Sequence, residues 1–220
     1  MNILVIDIGG NNIKVRLKGN EEVRKSPSGP ELTPEKMVED VKRLTADWAY
    51  DRVSIGYPGP VGHDRVLLEP VNLGRGWVNF DFAAALGHPV KVINDAAMQA
   101  LGSYEGGRML FLGLGTGLGS TLILDHVIAA MEVGHLPYKK GKTFEDYLGT
   151  RGLERLGKRK WQRAVADVVA RLQHALIADY VVLGGGNVKK LAELPPDCRP
   201  GDNRNAFVGG VRLWDDEAAD

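Results

Sequence analysis

The chain has 220 residues, with 28 Lys+Arg against 28 Asp+Glu and a formal net charge of zero. That balance argues against a general polyanion binder and leaves room for a local basic patch, and 44% hydrophobic with 25% charged residues excludes a mainly disordered chain. A single cysteine, Cys198, excludes a disulfide framework and any multi-cysteine zinc site.

The first predicted element is a strand over residues 3–8, an apolar β-rich run that ends in Gly9-Gly10-Asn11-Asn12. Residues 13–17 alternate with period two and read as its hairpin partner. A third short strand is expected near Glu22-Val23-Arg24, with Ser26-Pro27-Ser28-Gly29-Pro30 as a loop. Thr33-Pro34 predicts a helix start, and Met37, Val38, Val41, Leu44 and Trp48 follow at helical spacing. Residues 53–57 predict a strand broken by Pro58-Gly59-Pro60, and residues 61–81 a loop-rich stretch. A short helix over 82–86 stops at Gly87. A strand over 90–93 then delivers Asn94-Asp95 to the start of a helix over 96–104.

A second round begins at Met109. Residues 110–114 form a strand, Gly115-Thr116-Gly117 a turn, and residues 119–124 a strand. Trp161, Ala164, Val165, Val168, Leu172, Ala175 and Leu176 mark a long amphipathic helix. Residues 180–183 read as a buried strand leading into Gly184-Gly185-Gly186 and a further helix. A last short helix is expected over 206–214, followed by an acidic tail. The strand, glycine turn, strand pattern thus occurs twice, which predicts two α/β lobes facing each other across a cleft. We place an N-terminal domain at 1–95 and a larger C-terminal one at 96–220, with the last helix able to pack back on the first. No apolar run reaches the roughly 18–20 residues of a membrane span, and the first residues carry no signal-peptide pattern. A cytoplasmic protein with no membrane or nucleic-acid partner is the expectation.

Glycine is the unusual count, 28 residues against a typical share of about 7%. Asp7-Ile8-Gly9-Gly10-Asn11 can turn a backbone sharply and expose amides to a phosphate, and Asp7 can hold a divalent cation through water. An ordinary hairpin turn would use the same residues. Gly115-Thr116-Gly117 sits among four glycines in Gly113-Leu114-Gly115-Thr116-Gly117-Leu118-Gly119, a density that weakens a strand pair unless a ligand or another backbone comes close. It is neither a Walker loop nor a Rossmann fingerprint. Gly184-Gly185-Gly186, between strand and helix, suits a phosphate or equally a packing turn. Asp95 suits a general base or a helix cap. Glu132-Val133-Gly134-His135 suits a polyol or a surface turn, and one histidine without partners is weak evidence for a metal. Lys139, Lys140, Lys142, Arg155, Lys158, Arg159, Lys160 and Arg163 could serve a polyanionic donor or a solvated helix end.

Taken in this order, the motifs resemble the ROK family of sugar kinases and repressors, within the actin-like ATPase and hexokinase superfamily. The resemblance rests on Asp7-x-Gly9-Gly10, Gly56-Tyr57-Pro58-Gly59, Asn94-Asp95-Ala96, Gly115-Thr116-Gly117-x-Gly119, Glu132-x-Gly134-His135 and Gly184-Gly185-Gly186. With Thr143-Phe144-Glu145-Asp146-Tyr147 it looks closest to the polyphosphate glucokinase branch. It implies a two-lobed actin-like ATPase (ribonuclease H-like) α/β fold with a central cleft. It implies transfer of a phosphoryl group from ATP or polyphosphate to the 6-hydroxyl of glucose or a related hexose, with Mg²⁺, by a homodimer.

The resemblance also implies roles. Asp95 would be the catalytic base. Asn94, Glu132, His135 and Glu145 would bind the sugar hydroxyls, and Pro58, Gly59 and Asn72 would line the pocket. Asp7, Gly9, Gly10 and Asn11, with Lys14 nearby, would form one phosphate loop, and Gly115, Thr116 and Gly117 the other. Gly184, Gly185 and Gly186 would border the adenosine or distal phosphates, and Asp7 would reach Mg²⁺ through water. Two departures stand out: Asn11 replaces the usual Thr or Ser, and the cysteines of the zinc motif found in many members are missing, so zinc is not expected. No helix-turn-helix region precedes Asp7, which argues against a DNA-binding repressor. A catalytically silent sugar sensor and an amino-sugar kinase are the alternatives.

Overall fold

A computed structural model describes residues 1–215. In chain order the elements are β1 (Ile3–Ile8), β2 (Asn12–Leu17), β3 (Arg24–Pro27), α1 (Pro34–Leu44), β4 (Arg52–Tyr57), β5 (Val61–Gly62), β6 (Arg65–Val66), α2 (Phe82–Leu86), β7 (Val90–Asn94) and α3 (Asp95–Ser103). They continue with β8 (Arg108–Leu114), β9 (Leu118–Leu124), β10 (Val127–Met131), α4 (Phe144–Leu148), α5 (Thr150–Leu156), α6 (Lys158–Leu176), β11 (Tyr180–Gly184), β12 (Cys198–Pro200) and α7 (Asn205–Arg212). The chain divides into two units: Met1–Met98 with Ala206–Asp220, and Gln99–Asn205.

The first unit is built on a five-stranded sheet in the order β3-β2-β1-β4-β7. β3, β2 and β1 pair antiparallel, and β1, β4 and β7 run parallel. All six residues of β1 are buried, as a strand covered on both faces requires. One face packs with Met37, Val38 and Val41 of α1, and with Trp77, Phe82 and Leu86. Thr33 caps α1 by accepting from the Lys36 amide. Gly87 ends α2 in the left-handed conformation (φ 76°), which glycine adopts without strain.

The last helix closes the other face of this unit. Ala206, Phe207 and Trp214 pack with Ile3, Val5 and Met98. Ser54 Oγ donates to Gly210 O (2.5 Å), and Trp214 Nε1 donates to Ser54 Oγ (2.9 Å). A Cβ on Gly210 would overlap Val5, so only glycine lets the helix come this close to β1.

The second unit repeats the topology. Its sheet runs β10-β9-β8-β11-β12, with β10, β9 and β8 antiparallel and β8, β11 and β12 parallel. The apolar face of α6, with Trp161, Val165, Val168 and Leu172, packs on Leu110, Leu112, Val181 and Leu183. Trp161 Nε1 donates to Leu148 O (2.9 Å) and ties α6 to α4.

Several sequence expectations shift. The third strand lies at 24–27 rather than around 22–24, so Ser26 and Pro27 are strand and not loop; Ser26 is its buried residue, and Pro27 is tolerated because β3 is an edge. α1 ends at Leu44, where the Thr45 amide donates to Val41 O, so Trp48 lies beyond the helix. The expected helix after Gly186 is a single 3-10 turn, Val188–Lys190. Asp216 to Asp220 of the acidic tail lie outside the described residues.

Candidate active site

In the first unit, parallel pairing brings the ends of β1, β4 and β7 to one edge of the sheet. Asp7 pairs with Gly56, Gly56 with Ile93, and Tyr57 with Asn94. Ligands of open α/β sheets gather beyond strand carboxyl ends. Asp95 follows directly as the first residue of α3 and is half-buried. The cap of that helix is Asn94: its Oδ1 accepts from the Ala97 amide (3.1 Å), while its Nδ2 donates to Gly59 O (3.1 Å). Asp95 Oδ1 accepts from the Ala96 amide (2.8 Å). A Cβ on Gly56 would overlap the Met98 side chain and stand 3.5 Å from the Asp95 Cα, so the bare glycine gives α3 its place.

Pro58 and Gly59 form a tight turn in which the Gly59 amide donates to Tyr57 O (2.9 Å). The Tyr57 ring supports Gly59 from below, and its hydroxyl donates to Leu68 O (3.0 Å). Burial, with Glu69 nearby, pushes that phenol well above its ordinary range, so it stays neutral.

Three carbonyls in and beside the turn between β1 and β2 are hydrogen-bonded. Gly9 O accepts from Ser28 Oγ (2.5 Å), Asn11 O from the Ser28 amide (3.0 Å) and Asn12 O from the Gly9 amide (3.0 Å). The amides of Gly10 and Asn11 have no hydrogen-bond partner among the described residues. Asp7 is buried and pairs with Lys14 Nζ (3.2 Å). The exposed Asn72 lies beside this turn, with its Cβ 3.9 Å from the position of a Gly10 Cβ. A single buried carboxylate suits Mg²⁺, which keeps waters and takes one or two carboxylates plus substrate phosphates.

The second unit carries the other turn, between β8 and β9. Gly115 O accepts from the Thr150 amide (3.0 Å), Thr150 Oγ1 (3.0 Å) and Asn187 Nδ2 (3.1 Å). Thr116 O accepts from the Thr150 amide (3.3 Å), and Gly117 O from the Gly115 amide (3.2 Å). The amides of Thr116 and Gly117 have no partner among the described residues. A turn with its carbonyls engaged and its amides open is a concavity for anions.

Of the expected sugar residues in this unit, Glu145 stands against this turn, while Glu132 and His135 flank Gly134, which packs on Leu118. Glu145, in the first turn of α4, accepts from the Leu118 amide (3.1 Å), and a Cβ on Gly117 would overlap its carboxylate. Thr143 and Asp146 form a capping box that starts α4; the Thr143 amide, first among the causes, holds the Asp146 carboxyl below its ordinary range. Gly134 is buried: a Cβ there would stand 2.9 Å from Leu118 O and 3.5 Å from the Glu145 Cβ. Glu132 and His135, on either side of it, are exposed. Ser120 Oγ donates to Met131 O (2.7 Å) and accepts from the Val133 amide (3.2 Å), which fixes the entry to this segment.

Gly184, Gly185 and Gly186 pass beside the end of β8. Gly185 has φ 85°, and a Cβ there would stand 2.5 Å from Leu114 O. Close backbone packing therefore explains that glycine. Asn187, next in sequence, donates through its amide to Leu114 O (2.9 Å).

Six of the eight basic residues fall into two groups. Lys139 pairs with Asp167 (3.0 Å) and Tyr138, and Arg155 donates to Asp146 O (2.7 Å) while covering the Tyr147 ring. Lys158, Arg159, Lys160 and Arg163, along the first turns of α6, are exposed and have no ion pair among the described residues. No group of three or more His, Cys, Asp or Glu that could hold a metal occurs among the described residues. Nor is any helix there long and apolar enough to cross a membrane.

Sequence reasoning assigned no role to Ser28, Thr150, Gly149 or Asn187. A Cβ on Gly149 would stand 2.6 Å from Thr116 O, so this residue too shapes the second turn. The Thr143-x-x-Asp146 pattern could have revealed α4, and with it the approach of Glu145 and Gly149.

Residues 3–150 match the family model described as "ROK family". The chain belongs to the ROK family. A relative within reach of sequence comparison is the polyphosphate glucokinase of Mycobacterium tuberculosis (strain CDC 1551 / Oshkosh), 27% identical over 159 residues. That match covers 66% of this chain and 59% of the relative, so the chain matches about three fifths of the length of the curated relative. The crystal structure of an inorganic polyphosphate/ATP-glucomannokinase from Arthrobacter sp. strain KM superposes with a TM-score of 0.81 at 26% identity, over 98% of this chain and 99% of that one. A ROK family glucokinase from Streptomyces griseus, in complex with glucose and AMPPNP, superposes with a TM-score of 0.78 at 18% identity, over 97% of this chain and 99% of that one. The second likeness is one of fold. Together with the twice-repeated mixed sheet, these findings give the α/β fold of the actin-like ATPase sugar kinases.

Proposed function

We propose that the protein is a sugar kinase that phosphorylates the 6-hydroxyl of glucose or a related hexose, with ATP or inorganic polyphosphate as donor. The observation that carries this reading is the pair of glycine turns in which hydrogen-bonded carbonyls stand beside amides that have no partner among the described residues. Phosphoryl transfer depends mainly on positioning and on neutralising charge at the phosphates, which such amides supply.

Asp95 acts as the general base. It accepts the proton of the sugar's primary hydroxyl as that oxygen forms a bond to the terminal phosphorus and the bond to the leaving phosphate breaks. Asn94, through its cap and its bond to Gly59, sets the direction of Asp95 and the edge of the sugar pocket. Asn94, Glu132, His135 and Glu145 hydrogen-bond the sugar hydroxyls, and Pro58, Gly59 and Asn72 line the pocket. Residues 9–11 and 115–117 bind the donor phosphates. Asp7 would hold Mg²⁺ through water, and the ion would supply charge neutralisation at the donor. The unpaired cations of α6 favour a long polyanionic donor.

The test is sugar 6-phosphate formation by purified protein, with ATP and polyphosphate in parallel, over a panel of hexoses and amino sugars. Turnover of glucose or mannose is expected. Clear sugar binding by calorimetry with no turnover from either donor would leave a sensor and sink the kinase.

A further inference from the structure

Three hydrogen-bond donors converge on one carbonyl oxygen in the second unit. Gly115 O accepts from the Thr150 amide, Thr150 Oγ1 and Asn187 Nδ2, at 3.0, 3.0 and 3.1 Å. Asn187 Nδ2 also lies 3.1 Å from Thr150 Oγ1, so the two side chains close a triangle over that oxygen. A carbonyl has two lone pairs, and one donor would satisfy it. A turn between two strands needs no such clamp to fold.

The geometry of the peptide bond gives the clamp a purpose. A trans peptide is a rigid plane in which the carbonyl oxygen and the next amide hydrogen point to opposite sides. Fixing Gly115 O inward therefore fixes the Thr116 N–H outward. Thr150 N on Thr116 O does the same for the Gly117 N–H. Glycines at 115 and 117 leave these planes free to flip, because they lack the Cβ that restricts other residues. A flipped plane would present oxygen rather than N–H to a phosphate.

We propose that Thr150 and Asn187 are positioning residues for the phosphoryl donor, holding the 115–117 turn with its amides outward. This rests on the sugar-kinase reading for its enzymatic readout, but the clamp is tested independently of it. Both residues act through the turn, and neither has to touch the donor.

The enzymatic test compares Thr150→Val, Thr150→Ser and Asn187→Ala. Loss of the hydroxyl or amide should raise the donor KM by about tenfold and leave the sugar KM within about twofold, the scale of one lost hydrogen bond. Thr150→Ser should restore the donor KM. If Thr150→Ser is impaired and Thr150→Val is not, methyl packing explains the effect and the proposal falls; it falls too if the serine hydroxyl restores nothing. It also falls if donor and sugar KM rise together, or if neither changes. Should Thr150→Val fail to fold, Asn187→Ala carries the same expectation from a second element.

A direct readout uses inorganic pyrophosphate as probe and follows the amide NMR signals of Thr116 and Gly117. They should shift in the natural protein and not in Thr150→Val or Asn187→Ala. If no sugar is phosphorylated yet these shifts occur and need Thr150, the kinase reading fails and the clamp stands. If sugar is phosphorylated but the two amides ignore the probe, the clamp fails and the kinase reading stands.

Discussion

The two glycine turns solve the same problem with different means. The turn after β1 is backed by a single residue, Ser28, whose hydroxyl and amide take Gly9 O and Asn11 O. Ser28 directly follows β3 of the same sheet, so its position comes with the strand pairing. The turn after β8 is backed by Thr150 and Asn187, which lie 35 and 72 residues away from Gly115. It is also crowded, with Glu145 against Gly117 and Gly149 against Thr116. The first turn is less crowded: a Cβ on Gly10 would meet nothing closer than 3.9 Å, and one on Gly9 would stand 3.3 Å from Asn12 O. One topology thus gives a sparsely supported turn on the same sheet edge as the proposed base, and a densely supported turn with no comparable acid–base group assigned to it.

The largest expected effect separates chemistry from grip. Asp95→Asn keeps an oxygen for the Ala96 amide but cannot accept the proton, and turnover should fall by about 10²–10⁴-fold. Circular dichroism and sugar affinity should stay near those of the natural protein. Retained turnover would move the base elsewhere.

Next comes the crowding difference. Gly149→Ala should destabilise by about 1–3 kcal/mol, because the new methyl meets the Thr116 carbonyl backbone. Gly115→Ala and Gly10→Ala should unfold within about 0.5 kcal/mol of the natural protein, since the first would meet nothing within 4 Å and neither position has positive φ. Urea unfolding measures all three. Equal losses at 149 and 10 would erase the contrast between the turns. A smaller loss than that of Gly149→Ala is expected from Ser28→Ala, which frees Gly9 O. It should cost about 1 kcal/mol and weaken donor binding without changing sugar affinity, as read by calorimetry.

Features with a local cause were legible in the sequence. The β1 and β8 hairpins announce themselves by apolar runs that end in glycine. Thr33-Pro34 and Gly87 mark helix ends through backbone chemistry that needs no tertiary partner. β10 was not read, since Val127, Ala129 and Ala130 are exposed and its role is to extend an edge. β12 has three residues, too few for a period. β3 is polar along most of its length and takes its place from pairing with β2. The proposed site divides in the same way. Its glycine clusters are visible in the sequence because composition shows them. Which amides stay open is decided by Thr150, Asn187 and Ser28, single polar residues whose partners only the folded chain brings near.

The return of α7 to the first sheet has a consequence during synthesis. The second unit is one uninterrupted stretch of chain, whereas the first lacks the cover over Ile3 and Val5 until Phe207 and Trp214 have left the ribosome. Domains generally fold as they emerge. Here the segment made first is the one completed last, and a nascent chain stopped short of Ala206 would keep a greasy sheet face exposed to chaperones.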